Sequence, residues 1–218
     1  MTTSRRQVEL LEKNRPRQER AKRTYESILA AAAELLVEVG VERISTNLIA
    51  ERAGITVPAL YRYFPNKYAV INALGAQLMD RQNQAFQDWF DTHVPGGGPQ
   101  GLLANAYELL RSTYDVTLDQ HGGLEISQAL RAVGPLQELR LTSHNLMASQ
   151  FALILSEVLG EPVSDDLTRR ARVTIETGYS LVEMALENPP EQAQSILEES
   201  ALVLQSYWAG VLQGKGDS

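Results

Sequence analysis

Apolar residues in this chain return every three to four positions through almost its whole length, and strict alternation of apolar and polar residues is nearly absent. That period lines side chains along one stripe of a helix and leaves little from which to build a sheet, so the chain reads as all-α, with about nine helices. The first runs from about Thr24 to Val39, with Ile28, Leu29, Ala32, Leu35, Leu36 and Val39 on one face and Gly40, in a left-handed conformation, as its stop. A short helix after a Ser45 or Thr46 cap carries Leu48, Ile49 and Ala53 until Gly54 breaks it. Thr56 caps the third, Val57 to Tyr63, with Pro58 in the first turn, where a missing amide hydrogen costs little.

Pro65-Asn66 ends that segment and caps a long fourth helix from about Lys67 to Asp91, which the run Pro95 to Pro99 closes as a flexible loop. Further helices are expected at about 100–119, 124–133, 136–159, 165–187 and 190–213. Ser164 and Asn188 stand at N-cap positions, the second with Glu191 at the capping-box distance. Residues 1–21 read as a flexible basic arm, 22–68 as a small N-terminal domain, and 69–218 as a larger helical domain.

With 218 residues, 44% of them hydrophobic, the chain can bury a core in both parts. Its apolar runs fall well short of the about 18–20 residues that cross a bilayer, and residues 1–23 are charged where a secretion signal is apolar. No membrane association and a cytoplasmic location are the expectations. With no cysteine, disulfides, thiolate nucleophiles and thiolate zinc sites are excluded, and the three histidines have no metal-ligand spacing. No Ser/His/Asp set or phosphate-cradling glycine loop is evident, so no enzyme, metal or cofactor is expected. The net charge of −7 hides a division: residues 1–68 hold 12 Lys/Arg against 8 Asp/Glu, and residues 69–218 hold 8 against 19. A cationic head on an acidic body suits a nucleic-acid partner at one end only.

Three short helical patterns with the tight turn Ala53-Gly54-Ile55-Thr56 between the second and third describe a helix-turn-helix. Leu48, Ile49, Ala53, Ile55, Leu60 and Phe64 form its apolar plug. The outer positions of the third helix, Val57, Pro58, Ala59, Tyr61, Arg62 and Tyr63, would face the major groove of double-stranded DNA, flanked by Thr46, Asn47 and Thr56. Its first turn has no Arg, Asn or Gln to pair with a base edge, so Val57, Pro58 and Ala59 are expected on thymine methyl groups, with hydrogen bonds from Asn47, Arg62 and Tyr63. Tyr61 and Lys67 are the phosphate candidates, Lys67 at a helix start where free amides also favour an anion. The cations Arg15, Arg17, Arg20, Lys22 and Arg23 could follow phosphates or enter a narrow minor groove.

Across residues 24–74 or so the chain resembles the tetracycline-repressor (TetR) family, through Ile28-Leu29-Ala30-Ala31-Ala32, Gly40, the run Ile49 to Ile55 and the run Leu60 to Lys67. The resemblance implies a homodimeric repressor released from a palindromic operator by a small-molecule effector, its last two helices pairing across the two-fold axis. Those helices carry the stripes Leu167, Ala171, Ile175, Gly178, Leu181, Val182, Ala185, Leu186 and Ile196, Leu197, Ala201, Leu204, Tyr207, Trp208, Val211, which could equally be intramolecular core. Mixed polar and aromatic positions on apolar faces mark Tyr107, Tyr114, His144, Met147 and Phe151 as candidates for an effector cavity, and Phe86 and Trp89 join them near the end of the fourth helix, where a ligand could lever the small domain; at each the competing reading is ordinary core. The alternative is a DNA-bound scaffold that recruits a protein partner without an inducer, and its mark would be a body packed without a cavity.

Overall fold

The computed structural model describes residues 9–13, 18–93 and 98–213. Helix α1, Glu19–Arg43, buries Ile28, Leu29, Ala32, Leu35 and Leu36 at the spacing the sequence sets, each large side chain worth about 1.5–3 kcal/mol on burial. It starts before Thr24, and it is kinked at Gly40, which has φ 73° and ψ 167°. This is not the left-handed helical stop expected but a region essentially reserved to glycine, and one more turn follows to Arg43. A methyl group at Gly40 would meet nothing within 4 Å, so Gly40→Ala isolates the backbone term. It is expected to cost about 1–3 kcal/mol, read as a lower urea midpoint at constant slope; an unmoved midpoint would show that the kink is not required.

The chain continues with α2 (Thr46–Arg52), α3 (Val57–Leu60), α4 (Lys67–His93), α5 (Gly98–Ala104), α6 (Ala106–Leu118) and α7 (Gly123–Ala132). A single 3-10 turn (Gly134–Leu136) leads to α8 (Gln137–Leu159), α9 (Asp165–Leu186) and α10 (Pro190–Gln213). No strand occurs among the described residues, in line with the all-α reading. There are ten α-helices rather than nine among them, because the segment expected at 100–119 breaks at Asn105. The Trp89 indole donates to the Asn105 carbonyl at 2.8 Å, and the Asn105 amide folds back to the Gly101 carbonyl at 2.8 Å. The expected loop Pro95 to Pro99 is shorter, since α5 begins at Gly98, and the rest of it lies outside the described residues. Ser164 caps α9 as expected, accepting from the Leu167 amide at 3.1 Å. Asn188 does not cap α10: its side chain donates to the Met184 carbonyl at 2.7 Å, closing α9, and the Pro189 carbonyl receives the first amides of α10.

Contacts gather the chain into two compact units. The first holds Met1–Met79 and Gln120–Leu141, so it reaches past the boundary expected at residue 68 and includes a segment assigned from sequence to the larger domain. The reason is packing: Ile126, Leu130 and Leu136 are sealed in one cluster with Ile28, Leu36 and Phe64. A methyl group at Gly75 would come within 2.8 Å of the Leu130 side-chain methyls, so any larger residue there would force Leu130 to shift. The N-terminal segment is not free throughout its described part. The Lys13 amide donates to the Tyr63 carbonyl at 2.7 Å, the Asn66 side chain donates to the Glu9 carbonyl at 2.8 Å, and Leu10 packs on the cluster. Arg20 lies inside α1, while Arg15 and Arg17 lie outside the described residues.

The second unit holds Asp80–Asp119 and Thr142–Ser218. Here α6, α9 and α10 bury Leu110, Val182 and Leu197, and a neighbouring cluster joins Phe86, Trp89, Phe151 and Trp208. No helix among the described residues is long and apolar enough to cross a membrane.

Candidate nucleic-acid interface and cavity

The reading helix is built by its caps. Ser45, not Thr46, caps α2 by accepting from the Leu48 amide at 3.3 Å, and Thr56 caps α3 by accepting from the Ala59 amide at 3.4 Å. Ile49, Leu60 and Phe64 are fully buried, as the plug requires, and Ala53 and Ile55 pack on the same cluster. Leu48 does not join them. It is 37% exposed, because a helix as short as α2 can turn only one side to the core and that side is Ile49 and Ala50. On the outer side Asn47, Thr56, Pro58, Tyr61 and Arg62 are exposed, and Thr46 and Ala59 are half-buried. The hydroxyls of Thr46 and Tyr61 lie 3.1 Å apart, a polar edge shared by the start of α2 and the end of α3.

Two residues expected on that outer face turn inward. The regular helix stops at Leu60 and Tyr61–Tyr63 form a turn, which swings Tyr63 edge-on against Tyr25 at 6.3 Å. Val57 also packs against the core cluster. Lys67 has its ammonium on the Val41 and Glu42 carbonyls, at 2.9 and 3.3 Å, and 5.3 Å from the Tyr68 ring. It braces the end of α1 with two of its three donors, leaving one for an anion. The first amides of α4 are capped by Asn66, whose oxygen receives the Ala69 amide at 3.0 Å. Arg52 is paired with Glu34 at 3.0 Å and Glu38 at 2.7 Å. The hydrogen bond to Arg52 holds the Glu38 carboxyl below its usual range, and bonds to Glu38 and then Glu34 push the guanidinium further above its own. The charge of Arg52 is therefore offset by two carboxylates, while Lys67 brings its ammonium to the start of α4.

Two cavities lie among the helices of the second unit, with about 550 and about 500 Å³ of empty space, mouths included. They share the walls Leu109, Phe151, Thr174 and Leu204. Of the expected effector residues, Trp89 and Phe151 line the first, and Phe86, Met147 and Phe151 line the second. Tyr107, Tyr114 and His144 line neither. Tyr114 is buried in the cluster with Leu110 and Val182, and Tyr107 packs against it. His144 stands behind the second cavity, its ring stacked on Tyr179 at 4.3 Å and its Nδ1 3.1 Å from the Glu176 carboxylate.

Residues 28–74 match the family model of bacterial regulatory proteins of the tetR family, and residues 108–207 match the model of the tetracyclin repressor-like C-terminal domain. The chain belongs to the TetR family. It is 38% identical over 68 residues to the class A tetracycline repressor of Escherichia coli, a match over 29% of this chain and 32% of that one. The match thus spans about a third of the length of that repressor. An HTH-type transcriptional regulator of Mycobacterium bovis is 24% identical over 196 residues, 87% of this chain and 97% of the relative. The crystal structure of a TetR-family transcriptional regulator from Streptomyces coelicolor superposes with a TM-score of 0.56 at 29% identity, covering 86% of this chain and 99% of that one. These relatives are named as regulators and not as enzymes.

In this TetR-family chain the stripes expected to pair two copies are largely internal. Leu167, Ala171, Val182, Leu197, Ala201 and Trp208 are buried within the single chain. The apolar residues that α9 and α10 leave exposed are Val173, Met184, Leu202, Val203 and Tyr207, of which only Tyr207 was in an expected stripe. For the same reason Leu204, Thr174 and Trp208 were missed as cavity walls. Periodicity finds a buried stripe but does not tell a stripe that fills a core from one that borders a void.

Proposed function

We propose that this TetR-family chain is a DNA-binding transcriptional repressor, working in the cytoplasm as a homodimer on a palindromic operator and released by a small-molecule effector. The observation that carries the reading is the outer face of α2 and α3, where Asn47, Pro58, Tyr61 and Arg62 are exposed over the sealed side chains of Leu60 and Phe64. A rod supported this way can lie along base edges without disturbing its own core. Pro58 and Ala59 meet thymine methyl groups, Asn47 and Arg62 supply hydrogen bonds, and Thr46, Tyr61 and the remaining donor of Lys67 hold phosphates. Two copies paired through the exposed residues of α9 and α10 present two such rods, about 34–36 Å apart on one face of the duplex. The cavities of the second unit support the effector; a scaffold that only recruited a protein would have no use for them.

Selection of binding sites from random duplexes is expected to return near-palindromes with half-sites containing a preferred thymine. Half-sites with no thymine preference would reject the apolar readout. Linkage makes the second arm quantitative: an effector that releases the selected duplex must itself bind more weakly to the protein–DNA complex by the same factor, about 5- to 150-fold. Equal affinity with and without the duplex would reject release by an effector.

A further inference from the structure

We infer that the paired cavities take an uncharged, mostly hydrocarbon small molecule that presents one hydrogen-bonding group to Tyr179; this rests on the sensor reading above. Among the described residues no charged side chain lines either cavity. In the first, every polar group of the wall is already engaged. The Trp89 indole donates to the Asn105 carbonyl, the Trp208 indole donates to the Thr174 hydroxyl at 3.0 Å, and that hydroxyl donates to the Arg170 carbonyl at 2.9 Å. A ligand there meets only hydrocarbon and ring surfaces, and an ionic group would give up its hydration with no counter-ion to replace it.

The second cavity has some polar capacity left. The Gln82 amide donates to Thr117 at 2.9 Å and the Thr113 hydroxyl to the Leu109 carbonyl at 2.9 Å, which leaves the Gln82 oxygen as an acceptor. The Tyr179 hydroxyl has no hydrogen bond among the described residues. Its ring is held face to face by His144, with an interplanar angle of 8°; His144 is set against Glu176, and Glu176 is held by Arg172. The hydroxyl is thus positioned before any ligand arrives, which lowers the ordering cost of binding. Burial, with the Glu176 charge adding to it, pushes the phenol well above its ordinary value, so it stays a donor throughout the neutral range.

The chain has two tryptophans and both line the first cavity, so its indole emission reads occupancy there directly and occupancy of the second cavity through the shared wall at Phe151, which stands edge-on to Trp208 at 6.1 Å. Titration of the full chain at pH 7.5 with 1-decanol is expected to give a saturable change, with decanoate and decylammonium binding at least tenfold more weakly. Tyr179→Phe is expected to weaken decanol five- to tenfold and to leave n-butylbenzene, which has no polar group, unchanged. Either ion binding as tightly as decanol, no saturable response to decanol, or a Tyr179→Phe loss that is absent or equal for both neutral probes overturns the inference. Release of the selected duplex by the same probes separates the two readings. An ion that binds and releases DNA overturns the ligand class and keeps the sensor, whereas decanol that binds without releasing DNA keeps the class and overturns the sensor.

Discussion

Replacing Phe64 by alanine is expected to destabilise the first unit by about 3–5 kcal/mol, a large share of the about 5–15 kcal/mol that holds a domain together. Phe64 is fully buried and stacks on Tyr25 at 5.2 Å with an interplanar angle of 28°, so the substitution removes an aromatic pair as well as the transfer energy of the ring. It would also leave a void that the neighbouring Ile28 and Leu60, themselves fully buried, are already too constrained to fill. Urea unfolding followed by circular dichroism measures this, with Phe64→Leu as the control that keeps most of the volume and is expected to lose less than half as much. Binding of the selected duplex should fall in step with the folded fraction. A Phe64→Ala chain within about 1 kcal/mol of the original would mean that the ring is not part of the core, far below the ordinary cost of such a change.

The fold was legible wherever local chemistry decides it. Ser45, Thr56, Asn66 and Ser164 cap their helices with their own side chains, and a cap needs only the next three residues. It was illegible wherever a distant residue decides. Nothing within residues 100–119 shows that Asn105 breaks the helix, because the cause is an indole on α4. Asn188 has the right residue at the right spacing for a capping box, yet the nearer Met184 carbonyl captures its amide. The site divides in the same way. Pro58, Tyr61 and Arg62 are outward as the sequence reads, while Tyr63 is drawn in by Tyr25 and the Lys67 ammonium by the end of α1, partners far away in sequence. His144 stands out in the sequence as polar on an apolar face. Its partners Glu176 and Tyr179 are on another helix, which places it behind the cavity wall.

The substitution that best separates binding from folding is Pro58→Glu. Pro58 is exposed in the first turn of α3, so no core contact is lost. Two small backbone effects oppose each other: losing proline frees the unfolded chain by about 0.4–1 kcal/mol, and a carboxylate in a first helical turn gains about 0.3–1 kcal/mol from the helix dipole. Stability should therefore stay close to that of the original chain. Affinity for DNA should not, because the new charge would stand among phosphates, and like charges forced together cost several kcal/mol, a loss of about 100-fold or more. Ionic strength supplies the internal control. Affinity of the original chain falls as salt rises and its phosphate contacts are screened, whereas repulsion in the variant is screened as well, so the gap between the two should narrow. Pro58→Gln, of the same shape without the charge, should lose much less. A Glu variant binding the selected duplex within about threefold of the original, with no dependence of that ratio on salt, would show that α3 does not face DNA through its first turn, and the major-groove reading would have to be given up.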